Sequence, residues 1–203
     1  GYIDRNGNIV IDSKKDKVWP MTSYGTVIKD SGKLCFVNRK GEIVIQPGDY
    51  DAGEMDKFNG LLALKDNSSD KWGVFDVSTG KQVVSFKYDS ISFAGTDRLV
   101  VVKDHVKNLI NMSTGKSLYS AQTEATIEPF NSDTVTWVHT GKDAYTIIDN
   151  DGHVLFRDTN NIIEDVKSFN HGFSSVKSKG KWGVMNAKGE WVVQPTYEAV
   201  NIL

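Results

Sequence analysis

Six times along this chain an apolar run ends in Asp or Asn, passes through two or three residues to Gly, and starts a second run. The short form reads Ile3-Asp4-Arg5-Asn6-Gly7, Val37-Asn38-Arg39-Lys40-Gly41, Ile148-Asp149-Asn150-Asp151-Gly152 and Met185-Asn186-Ala187-Lys188-Gly189. A longer form reads Phe75-Asp76-Val77-Ser78-Thr79-Gly80 and Ile110-Asn111-Met112-Ser113-Thr114-Gly115. Successive glycines lie 34, 39, 35, 37 and 37 residues apart. Self-similarity at such a period marks a stack of one supersecondary unit, and no other feature narrows the possible folds as far.

The chemistry of the hinge identifies it. Asp or Asn at the first position bonds the backbone two residues on, and Gly at the last supplies positive φ without a Cβ penalty. That combination predicts a hairpin loop of three to five residues. Strand-like runs flank each hinge, such as Leu34–Val37 before and Glu42–Ile45 after, or Trp182–Met185 and Glu190–Val193. A third run lies upstream: Tyr24–Ile28, Leu61–Leu64, Leu99–Val102, Thr134–Val138 and Phe173–Val176. These runs are short and rich in β-branched and aromatic residues, with no sustained helical period. The expectation is an all-β chain of tandem three-stranded antiparallel meanders, closed in a propeller-like arrangement or stacked as an open β-superhelix. The propeller-like form is favoured. One β-repeat domain over 1–203 is predicted, with units 1–23 (partial), 24–57, 58–92, 93–131, 132–168 and 169–203.

Composition narrows the partners. The formal net charge is −2, with both signs interspersed, so no basic stripe is available for phosphates and nucleic acid is not expected. No run approaches the apolar length of a membrane helix. No signal peptide heads the chain, which opens within a repeat. One cysteine, Cys35, makes neither an intramolecular disulfide nor a metal cluster. That usage fits an extracytoplasmic protein that avoids thiols, and fits the cytoplasm too.

The residues Gly180-Lys181-Trp182-Gly183-Val184-Met185-Asn186-Ala187-Lys188-Gly189-Glu190-Trp191-Val192-Val193-Gln194-Pro195-Thr196-Tyr197-Glu198 resemble the bacterial WG (KWG) repeat. Lys71-Trp72-Gly73-Val74-Phe75-Asp76 is a second copy, with a tail at Phe86-Lys87-Tyr88-Asp89, and Asp49-Tyr50-Asp51 after Gln46-Pro47 is a weaker tail. Elsewhere Leu34, Lys107 and Tyr145 stand at the Trp position. Cys35, Asn108 and Thr146 stand at the Gly position. The resemblance implies a bacterial source and an interaction role. A meander must bury its apolar face on a neighbour, so Trp72 and Trp182 are expected in the inter-repeat core, with Gly73 and Gly183 permitting close backbone approach.

Candidate chemistry is sparse. Asp4, Asp76 and Asp149 recur at hinge positions, and Asp49, Asp51 and Asp89 are expected to make local turn bonds. Asp149–Gly152 resembles part of a calcium loop, but Asn160 stands where an EF-hand needs Glu. His105, His139, His153 and His171 show no metal-ligand spacing. Cys35 reads as a small buried hydrophobe. Gly115-Lys116-Ser117 lies in a hairpin and lacks the first glycine of a phosphate loop.

The expectation is therefore a non-catalytic scaffold, with no cofactor or metal, mediating protein–protein or envelope interactions outside the bacterial cytoplasm. The alternative is a glycan or peptidoglycan binder that uses Trp19, Trp137 or Trp191, if exposed, as stacking platforms. A third reading, a carboxylate-based glycosidase, has no identifiable acid pair behind it.

Overall fold

A computed structural model describes residues 1–131, 133–140 and 143–202. Among them the chain forms 22 strands and no helix. A two-stranded sheet, β1 (Tyr2–Ile3) and β2 (Ile9–Ile11), comes first. The second sheet is β3 (Lys17–Val18), β4 (Gly25–Asp30), β5 (Lys33–Asn38) and β6 (Ile43–Gly48). The third is β7 (Tyr50–Asp56), β8 (Leu61–Asp66), β9 (Lys71–Asp76) and β10 (Gln82–Tyr88). The fourth is β11 (Ser90–Gly95), β12 (Arg98–Lys103), β13 (Val106–Asn111) and β14 (Ser117–Gln122). The fifth is β15 (Thr126–Ile127), β16 (Val135–Thr140), β17 (Asp143–Asp149) and β18 (Val154–Arg157). The sixth is β19 (Asp165–Val166), β20 (Phe173–Ser178), β21 (Lys181–Asn186) and β22 (Trp191–Tyr197). Within each sheet, strands pair antiparallel in chain order.

The predicted meander is present five times in full, and each copy gains a further strand in front of it. That strand is as short as two residues in β3, β15 and β19, too short to show a strand-like alternation in the sequence. All six hinge glycines adopt φ between 71° and 85°. In each hinge the glycine N–H donates to the carbonyl of the leading Asp or Asn at 2.8–3.1 Å. Asp4, Asn38, Asp76, Asp149 and Asn186 also accept, through Oδ1, the amide two residues on at 2.8–2.9 Å. Asn111 departs from the pattern: Asp97 takes that amide, from Ser113.

The chain divides into two compact units, Gly1–Ser92 and a second starting at Phe93. In the first, Ile11 packs with Ile28, Cys35 and Val37 between the first two sheets. Val27, Leu34, Phe36 and Ile45 meet Leu62, Leu64, Phe75 and Val77 between the second and third. In the second unit, Val100 and Leu109 meet Val138 and Ile148, and Trp137 and Ile147 meet Val176 and Met185. Within each unit the core therefore consists of plates between successive sheets, which is how a repeat hides the face that no single sheet can bury.

Candidate functional site

The motif residues settle on the sheets in a regular way. Register places Asp51, Lys65, Trp72 and Tyr88 in one row across the third sheet. Asp165, Lys177, Trp182 and Tyr197 form the same row across the sixth. Lys71 pairs with Asp89, and Lys181 with Glu198, so the motif's first and last charges close the same cross-strand contact. Asp89, expected in a local turn bond, thus carries a cross-strand ion pair. In the second sheet Gly48, and not Tyr50, pairs with Leu34 at the position of the motif tyrosine.

Trp72 and Trp182 are half-buried. The Trp72 indole covers Gly53 of its own sheet, where a Cβ would come within 2.4 Å of the ring. The Lys167 ammonium stands 5.3 Å from the Trp182 ring centre, again within one sheet. Gly73 and Gly183 face β10 and β22, where a Cβ would meet the carbonyl oxygens of Val84 at 2.6 Å and Val193 at 2.4 Å.

The three tryptophans considered as stacking platforms differ. Trp137 is fully buried, stacked on Phe169 with centroids 5.4 Å apart, and its Nε1–H donates to Ser174 Oγ at 2.9 Å. It is not an exposed stacking platform. Trp19 is half-buried under the Lys17 ammonium at 4.2 Å, and Trp191 is half-buried against the plate formed with Trp137. Among the other candidates, burial raises the pKa of the Cys35 thiol, which keeps it protonated and poorly nucleophilic. Asp149 Oδ1 accepts the Asp151 and His153 amides and Oδ2 faces His153 Nδ1 at 2.9 Å, so the turn occupies this carboxylate.

A site that the sequence reading passed over lies in the second unit. A cavity of about 430 Å³ is lined by Glu128, Trp137, His139, Tyr145, Asp165, Val166, Lys167 and Ser168. The His139 ring stacks on Tyr145, with centroids 5.3 Å apart and planes 24° apart, and His139 Nε2 sits 3.0 Å from Glu128 Oε1. Glu128 is fixed by its backbone: its N–H donates to Trp137 O at 2.9 Å, and its carbonyl accepts Thr136 Oγ1–H at 2.9 Å. Lys167 Nζ donates to Val200 O at 3.2 Å and Asn201 Oδ1 at 2.9 Å. Ser168 Oγ accepts from Asn131 Nδ2 at 3.3 Å. The usable signal was an alignment of the repeats against one another. His139 stands where Lys65 and Lys177 flank the motif tryptophans, and Tyr145 stands at the Trp position itself.

A family model described as "WG containing repeat" matches residues 1–28, 36–68, 72–104 and 182–201, more than half of the chain. No curated protein matches it in sequence. Solved structures with a similar fold include a eukaryotic initiation factor, at 13% identity and a TM-score of 0.55 over 89% of this chain and 55% of that one. They also include KlHsv2 with loop 6CD replaced by a Gly-Ser linker, at 10% identity and 0.52 over 84% and 62%. Hsv2 of Kluyveromyces marxianus matches at 7% identity and 0.51 over 95% and 75%. The chain thus spans less than two thirds of the first two structures' own length. At such identities the likeness shows the fold alone: an all-β array of four-stranded, propeller-like sheets.

Proposed function

The chain belongs to the WG-containing-repeat family, and we propose that it is a non-catalytic scaffold whose sheets present their last strands to another protein. One observation carries this reading. Two or three residues beyond the hinge glycine, the same stretch of strand exposes an apolar side chain in every sheet but the fourth. Ile9, Ile43 (51% exposed) and Val83 do so in the first unit; Val154, Leu155 and Val192 (56%) do so in the second. Single exposed apolar residues are ordinary, but their recurrence at two neighbouring positions of equivalent strands is not required by the fold. Two of these strands also carry Pro47 and Pro195, which blunt an edge against open-ended sheet pairing and leave side-chain contact as the mode of recognition.

An extracytoplasmic, envelope-associated setting in a bacterium is part of the proposal, supported by the family resemblance and the lone, buried cysteine. Photo-crosslinking residues placed at 43 and 192, with Lys14 as a surface control, test the scaffold reading in cells of the native host. A discrete protein adduct from 43 and 192, absent from 14 and abolished by Val83→Lys or Leu155→Lys in the same unit, is the expected outcome. Identical patterns from all three sites, or no adduct, would reject it. An adduct recovered only from the cytosolic fraction would reject the envelope setting alone. The glycan-binding alternative keeps Trp19 and Trp191 as its half-exposed platforms, and Trp19→Ala with Trp191→Ala should abolish sugar retention if it holds.

A further inference from the structure

The cavity of the second unit is the place where this chain departs furthest from its own repeat. All eight lining residues fall between 105 and 181, outside the stretches that the family model matches, yet the fifth sheet keeps the strand order of the others. The repeat's structural requirements are therefore met there by other residues, and three exchanges converge on one opening. His139 replaces the lysine of the row, and Tyr145 replaces the motif tryptophan. Glu128 takes the position that holds Gly53 in the third sheet, as the pairings of Ala52 with Leu64 and Ile127 with Val138 establish.

We propose that this cavity binds a neutral, polyhydroxylated ligand of the size of one or two sugar rings. The volume of about 430 Å³ falls within the range of small-ligand pockets. Its polar groups decide the chemistry. Glu128 and Asp165 supply carboxylate oxygens, with Glu128 Oε1 and Asp165 Oδ1 engaged by His139 and the Val166 amide and a second oxygen on each left for a ligand. Ser168 supplies a hydroxyl whose own proton is not spent in accepting from Asn131, and Lys167 has a third ammonium proton beyond its two bonds. An anion would meet two carboxylates, and a bare cation would meet an ammonium. A sugar hydroxyl donates and accepts at once, so it satisfies both kinds of group without a net charge to repel. His139, partly exposed and stacked on the buried Tyr145, gives one wall a ring for the C–H face of such a ligand.

This goes beyond the protein-binding reading and does not depend on it, because none of the strand positions tested by crosslinking lines the cavity. The test is an amide-resonance titration of the whole chain with N-acetylglucosamine, galactose and lactose, and with acetate and spermidine as charged comparators. At least one neutral sugar should shift the resonances of Glu128, His139 and residues 165–168 and leave those of the first unit unmoved. Removing charge-assisted bonds in Glu128→Gln with Asp165→Asn should weaken that binding about ten-fold or more. Ser168→Ala, at an exposed loop position, gives a second reading if the double variant fails to fold. Shifts from acetate or spermidine alone, no shift from any sugar, or equal binding by the variants would each overturn the proposal.

Discussion

At the scale of single residues, the short hinge solves one problem with interchangeable chemistry. Its first residue accepts the following amides, and its side chain also meets the residue just past the glycine: Asp4 with Asn8, Asn38 with Glu42, Asp149 with His153 and Asn186 with Glu190. Where the first residue is a carboxylate its partner can donate, and where it is an amide its partner is a carboxylate. Asn38→Asp would set two carboxylates face to face, and we expect a loss of about 0.5–1 kcal/mol, recovered by a second change, Glu42→Asn, in a urea-denaturation cycle. The long hinge behaves differently, because Asp76 gains hydrogen bonds from the Ser78 side chain first and then from the Ser78 and Thr79 amides, which together hold its carboxyl below the ordinary value against the opposing effect of burial. Since the folded pKa is the lower one, the stabilisation is complete above the unfolded value of about 4 and is lost as pH falls through the folded value. Asp76→Asn should therefore leave stability nearly independent of pH at that site, and melting temperatures between pH 5 and pH 2 should fall less steeply than in the parent. An unchanged acid limb would show that Asp76 is not linked to folding.

At the scale of the element, four of the hinge glycines perform a second task that their turn chemistry does not reveal. A Cβ on Gly41, Gly80 or Gly152 would press on the carbonyl oxygen of Val10, Val44 or Leu118 at 2.7, 2.1 and 2.2 Å, and one on Gly189 would enter the Phe156 ring. Each hinge thus rides on the last strand of the sheet before it. Gly7 and Gly115 have nothing within 4 Å, so alanine there costs only the left-handed backbone, about 1–2 kcal/mol. Gly80→Ala should cost clearly more than Gly115→Ala, although φ is 73° and 71° at the two sites. Chemical denaturation of both variants measures the difference, and equal losses would mean that the close approach relaxes freely. The tryptophans follow the same logic of position: fully buried Trp137→Ala should lose about 3–5 kcal/mol, and half-buried Trp72→Ala distinctly less. The strand meander and its hinges were legible because period and turn chemistry are properties of neighbouring residues. The extra strand was not, since two residues such as Lys17-Val18 carry no alternation, and the site around His139 was not, since its members are joined only by sheet register.

At the scale of the whole molecule, stability is distributed over the plates between sheets, and a repeat array of this kind is held by nearest-neighbour terms. Phe36 shows what one plate is worth. It is fully buried among Val27, Leu34 and Ile45 of its own sheet and Leu62, Leu64, Phe75 and Val77 of the next. Truncation to alanine removes the ring and leaves a cavity walled by residues already paired in strands, which restrains collapse, so about 3–5 kcal/mol should be lost. That is a large share of the roughly 5–15 kcal/mol that a domain usually has, and it falls on contacts lying entirely within the first compact unit. Hydrogen exchange followed by mass spectrometry resolves where the loss is felt. With Phe36→Ala, amides of β4, β5, β8 and β9 should exchange markedly faster, and those of β16, β17, β20 and β21 should keep the parent's protection. Equal loss in both sets would mean that the array opens as one cooperative body, and that nearest-neighbour plates are the wrong description of what keeps it folded.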